Sequence, residues 1–345
     1  MYPDLALVAA LLVACQAGPP PSASPPGPTK LPKPRPEVLS CVDLPRDDPR
    51  SHDLSGLAWD PAAHLLYALS DREPRIVVLE PRDDFERWEF RPSIPLQVPV
   101  ERWDGEALAL ADDRFLFVAD ETRQAVFSVD RSGRDAERIA MPWFRKTRHN
   151  LGLEGLGYAR SPQGRYVFAA NEQALEGDGP TSTASRGTMV RLLRHPLDGG
   201  DDLEVAYLTD PIFADGGGDN GVSDIAPLSA DRVLVLERAY VGGSGNSIRI
   251  YDVDLRTGHD IRTLADASAA IPIPKQLVVD LALVKDKRCA DSPQAQRRRT
   301  LENYEGLAIG PMLDGRRVLF LVSDDNSRAT QTARLLALTI APERL

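Results

Sequence analysis

Cysteine and histidine are scarce in this chain, three and five residues among 345. Three cysteines are too few to build a disulfide mini-fold. No CxxC pair occurs, and His52, His64, His149, His195 and His259 never fall at the spacing of paired helical ligands, which argues against a zinc site. The chain has no GxSxG elbow, no P-loop and no glycine fingerprint set between a strand and a helix. These absences argue against α/β-hydrolase esterases, P-loop NTPases and Rossmann dehydrogenases. A long basic stripe is also missing, and 41 basic against 51 acidic residues leave a net charge of −10, so nucleic acid is not an expected partner. What is abundant is proline, 29 residues, and glycine, 25, which favours frequent turns over long helices.

The apolar run LALVAALLVA at 5–14 has ten residues, too few to span a bilayer but right for the core of a secretory signal. Leu12-Val13-Ala14-Cys15 then resembles a bacterial lipobox. One feature departs from the pattern: the n-region carries Asp4 and no Lys or Arg. The rival reading is a chance apolar start with a buried Cys15. Residues 16–36 hold nine of the 29 prolines and almost nothing apolar, so they cannot bury enough surface to fold and read as a stiff tether. The expected organisation is a signal peptide over 1–14, a tether over 15–36 and a folded domain over 37–345. Lipidated Cys15 would hold a monomer at the bacterial cell envelope, outside the cytoplasm. Cys41 and Cys289 then remain as an even pair in an oxidising compartment, and a disulfide between them is expected.

The body of the chain repeats one phrase five times. SGLA at 55–58 leads to LLYALSDR, EALA at 106–109 to RFLFVADE, EGLG at 154–157 to RYVFAANE, SDIA at 223–226 to RVLVLER, and EGLA at 305–308 to RVLFLVSDDN. Each is an apolar strand, a polar turn and a second apolar strand, which is a hairpin by pattern. With Gly56, Ala107, Gly155, Asp224 and Gly306 as equivalents, the gaps are 51, 48, 69 and 82 residues. The first two gaps suit one four-stranded propeller blade each. The third contains the insertion EGDGPTSTASRG at 176–187, and the fourth contains His259–Asn303, which reads equally as a large loop or a degenerate sixth blade. The expected fold is an all-β propeller with five recognisable blades. EVLSCVDL at 37–44 would close the ring against ARLLALTI at 333–340. A β-sandwich is the rival, but it has no reason to repeat a hairpin at blade-length intervals.

The phrases SGLAWD, GEALAL, LEGLGY, VSDIAPL, VLVLER, NYEGLAIGP and FLVSDDN, in this order over about residues 50–342, resemble the phytase-like domain, the family described as having esterase-like activity of phytase. That family is similar to β-propeller phytases, which are calcium-dependent phosphoesterases. The resemblance therefore implies a propeller, a hydrolase and Ca2+.

Inner strands line the central channel, so the residues at their starts gather at one mouth. Glu106, Glu154, Glu305 and, beside Ser223, Asp224 would converge there. Converging acids raise one another's pKa unless a cation or an arginine compensates. A hard cation with oxygen ligands, Ca2+ above all, would fit this set. The rival reading has each Glu capping a turn of its own blade. Arg72 and Arg238, ending second strands, would clamp an anionic ester or make ion pairs between blades. The oxygen-rich loop Asp215–Gly221 reads as a turn or a calcium loop. Two functions follow. One is a metal-dependent phosphoester hydrolase with Glu154 and Glu305 as catalytic acids or bases. The other is a non-catalytic surface propeller that binds a ligand or partner. Only six lysines weigh against a phytate-type substrate.

Overall fold

The repeated hairpin supplies the two inner strands of a four-stranded antiparallel sheet, five times over. The computed structural model describes residues 35–112, 115–141 and 147–345. The signal segment, the Cys15 lipidation site and the tether as far as residue 34 lie outside the described residues.

Strand β1 (Glu37–Asp43) comes first. Blade 1 holds β2 (Leu54–Asp60), β3 (Leu65–Ser70), β4 (Arg75–Arg82) and β5 (Arg87–Pro95). Blade 2 holds β6 (Gly105–Ala111), β7 (Phe115–Asp120), β8 (Ala125–Asp130) and β9 (Glu137–Ile139). Blade 3 holds β10 (Leu153–Ser161), β11 (Gly164–Asn171), β12 (Met189–Pro196) and β13 (Leu203–Leu208). Blade 4 holds β14 (Gly218–Pro227), β15 (Arg232–Val241), β16 (Gly245–Asp254) and β17 (Lys275–Asp280). Blade 5 holds β18 (Tyr304–Leu313), β19 (Arg316–Ser323) and β20 (Arg334–Ile340), with β1 as its outer strand. The long stretch His259–Asn303 is therefore not a sixth blade. It contributes β17 and a short 3-10 turn over Leu281–Leu283 and otherwise runs as turns and loop, because its prolines and charges offer no second apolar strand.

Five large apolar cores lie between neighbouring blades: 1 with 2, 2 with 3, 3 with 4, 4 with 5, and 5 with 1. Five interfaces for five blades means a closed ring. Strands buried on both faces are continuously apolar, as in RLLALTI of β20, whereas outer β5 alternates between partly and fully exposed positions.

The closure is fastened three times. Strand β1 pairs antiparallel with β20, Cys41 opposite Leu336. A disulfide joins Cys41 to Cys289, with Cα atoms 5.0 Å apart. Fully buried Arg334 donates through Nε and Nη2 to Asp43 at 2.5 and 3.1 Å, and also to the carbonyls of Arg299 and Ala290. All five sheets, the disulfide and the five inter-blade cores fall within residues 34–345, which form one compact unit.

Candidate functional site

The repeated phrase encodes a repeated β-bulge. The pairing of each innermost strand with the second slips at the same place: Leu54 to Leu57, Gly105 to Leu108, Leu153 to Gly155, Val222 to Asp224 and Tyr304 to Gly306. Ser55, Glu106, Glu154, Ser223 and Glu305 occupy these slips. A bulge frees a residue from the ladder and re-aims its side chain. The two serines bond across to the next blade. Ser55 Oγ donates to the Glu106 carbonyl, and Ser223 Oγ to the Tyr304 carbonyl at 3.2 Å.

Beyond the bulge the inner strands converge so closely that a Cβ on Gly56 would collide with the Ala107 and Leu108 backbone, and one on Gly306 with the Ser55 carbonyl. At the equivalent point of blade 4 stands Asp224, fully buried. Its carboxylate accepts the N–H groups of Ile225 at 2.8 Å and Leu307 at 2.7 Å, and the Leu57 and Leu156 amides of blades 1 and 3 also favour its charged form. The carboxylate thus ties blade 4 to blade 5. This corrects the expectation that Asp224 is a metal ligand at the mouth: backbone amides occupy its oxygens, and it does not line the mouth cavity. Burial pushes its carboxyl well up while the amides pull the other way.

The mouth is a cavity of about 700 Å3. Glu106, Glu154, Glu305, Arg72 and Arg238 all line it, together with Asp71, Asp104, Glu172, Asp219, Asp324, Arg102 and Arg328. Arg238 lies deep among the acids, 3.2 Å from Glu172 and 3.7 Å from Glu305. Arg72 is 59% exposed at the rim, its Nε 3.2 Å from Asp53 and 3.9 Å from Asp71. Of the segment Asp215–Gly221, residues 215–217 form a bend with Gly216 and Gly217 at φ +126° and +78°, and residues 218–221 begin β14, which carries Asp219 on the cavity wall. Arg148 is committed to the Ala174 and Gly179 carbonyls and adds no cation to the rim.

Burial is the main reason the acids are hard to ionise. It pushes Glu106 and Glu154 well above the usual carboxylate range, with the charges of Glu305 and Glu106 respectively adding to it. Asp71 rises to about 8, from burial and then the Asp53 charge. Glu172 also rises to about 8 through burial, with Arg238 opposing. Asp324 is pushed well up by burial and then by Glu305.

Ligand spacing does not follow the set expected from the repeat. Among the described residues, the carboxylate oxygens that lie within 4.8 Å of one another form two trios, Asp53 with Asp71 and Asp324, and Asp104 with Glu106 and Glu121. Of the four expected ligands only Glu106 belongs to a trio. Both trios offer oxygen alone, the donor set of Ca2+ or Mg2+. In the first, Asp53 Oδ1 and Asp71 Oδ1 accept no hydrogen bond, and the Arg72 guanidinium, 3.2 and 3.9 Å away, is the cation that faces them. Asp104 was legible: it precedes its bulge by two residues, as Asp53 does in blade 1.

The sequence profile of the family described as Phytase-like, esterase-like activity of phytase, matches residues 50–327. Similar solved structures include the nidogen/laminin complex, 9% identical over 83% of each chain with a TM-score of 0.41. Streptogramin B lyase is 9% identical over 88% of this chain and 99% of that one, TM-score 0.37. The PQQ-bound aldose sugar dehydrogenase of Streptomyces coelicolor is 13% identical over 88% and 98%, TM-score 0.39. No curated protein matches the chain. The profile spans the repeat from before the first hairpin to the end of the last, and the chain belongs to the phytase-like family.

Proposed function

We propose that the acidic mouth hydrolyses small phosphoric esters with the help of a bound divalent cation, Ca2+ by preference. One observation carries this reading: three bulges direct Glu106, Glu154 and Glu305 to a cavity where, among the described residues, eight carboxylates meet only one deep-set cation, Arg238. The Asp53 and Asp104 trios would hold the cation. When bound, it supplies Lewis-acid polarisation of a phosphoryl oxygen and offsets the carboxylate repulsion. Burial and the neighbouring carboxylates hold Glu154 protonated in the metal-free protein; the charge of a bound cation would let it ionise and take a proton from attacking water. Glu305, whose carboxyl burial raises against the pull of Arg238 and of Asn303 Nδ2 at 2.8 Å, would return a proton to the leaving group. Arg72, Arg102 and Arg328 would receive the anionic oxygens of the ester.

The test is hydrolysis of a generic phosphomonoester and a generic carboxylester, with Ca2+ and with chelator. Calcium-dependent phosphate release, lost on Glu154→Gln, supports the reading. Calcium binding without turnover of either ester would instead support a non-catalytic surface propeller. The N-terminal pattern supports a lipid-anchored protein at the cell envelope. Cys15→Ser should release it from the membrane fraction, and unchanged fractionation would refute the anchor.

A further inference from the structure

A second large cavity, about 750 Å3, opens between the outer strands of blades 4 and 5, β17 and β1. It shares no lining residue with the acidic mouth. Its wall carries Arg35, Lys285 and Arg298, all exposed, and Lys287 lies on the adjoining cavity that shares Lys285 and Arg298. Among the described residues none of these four cations has an ion-pair partner. The nearby acids are engaged elsewhere: Asp280 with Arg249, Asp286 with Arg288, and Glu37 with Arg316. Two leucines stand out of the same wall, Leu283 at 73% exposure and Leu277 at 44%.

An unpaired cationic patch on a chain of net charge −10 is a local reversal of the field. Cations around projecting leucines match a lipid interface, where the charges meet anionic headgroups and the apolar tips enter the acyl boundary. Arg35 and Pro36 join the tether to the domain at this cavity, so the chain enters the domain on the same face. The geometry points to this face as a docking surface for an anionic lipid bilayer.

Residues 34–345 lack both Cys15 and the apolar run, and once a cooperative melting transition shows that they fold alone, their membrane binding reports the face. They are floated with vesicles of phosphatidylcholine, and with the same vesicles containing phosphatidylglycerol. The expected result is binding to the anionic vesicles only, falling as salt rises. Lys285→Gln and Arg298→Gln should each weaken it about fivefold. Leu283→Ser should weaken it without changing the salt dependence. Unchanged melting temperatures would show that these exposed substitutions leave the fold intact. Equal binding to neutral vesicles, no binding to anionic ones at low salt, or full binding by the double charge variant would each overturn the assignment. So would equally tight binding to soluble polyglutamate, which would indicate an acidic protein partner instead.

Discussion

Asp224 Oδ2 accepts the backbone N–H of Leu307 at 2.7 Å, tying the inner strand of blade 4 to that of blade 5. The Leu57 and Leu156 amides of blades 1 and 3 favour the same charged form, so this carboxylate belongs to the scaffold. Asp224→Asn replaces one acceptor oxygen with a donor and faces it towards buried N–H groups. Each buried donor left unsatisfied costs about 1–3 kcal/mol. Denaturant unfolding of the variant should show a loss of at least that size, and parental stability would contradict the scaffold role.

The disulfide gives a second prediction. It links residues 248 positions apart and fastens β1 to the connector that enters blade 5. Cys41→Ser with Cys289→Ser should lower stability by about 2–4 kcal/mol, because the unfolded chain regains the freedom that the link removes. Thiol titration of the unreduced, denatured parent should find neither Cys41 nor Cys289 free.

The propeller was legible because its inner hairpins are buried on both sides and had to be apolar five times over. The outer strands were harder to read. Strand β5 is mostly exposed and β9 has three residues, so neither carries a long apolar signal. The repeat also located Glu106, Glu154 and Glu305, since a bulge at a fixed point fixes where a side chain points. It misled at Asp224, one residue beyond the bulge, where the other blades have Gly or Ala and burial assigns the carboxylate to the backbone. The Asp53 trio was hidden for another reason. Its members come from the start of blade 1, the end of β3 and the end of β19, and only ring closure brings them together.

The raised acids predict an inverted pH dependence for the metal-free protein. Asp71 and Glu172 have folded-state values of about 8, far above those of the unfolded chain. Between these limits the folded state binds more protons than the unfolded state, so stability falls as pH rises from about 4 to 8. Calcium competes with those protons, so its stabilising effect should grow over the same window. Melting curves with chelator and with Ca2+ at several pH values check both slopes. Metal-free stability that rises towards pH 8 would contradict the assigned shifts.

Glu154→Gln keeps the shape of the side chain and removes its basicity. If Glu154 accepts the proton of the attacking water, phosphomonoester turnover should fall about 10²–10⁴-fold while the fold remains intact. A smaller change with KM alone affected would reassign Glu154 to binding.

If the mouth carboxylates hold a divalent cation, calorimetric titration of Ca2+ into the metal-stripped protein should show saturable binding that Asp71→Asn and Glu106→Gln each weaken. The account also predicts that Ca2+ at 100 times its Kd adds about 2.7 kcal/mol of stability. No binding at any pH up to 8, or binding that both variants leave untouched, would contradict it.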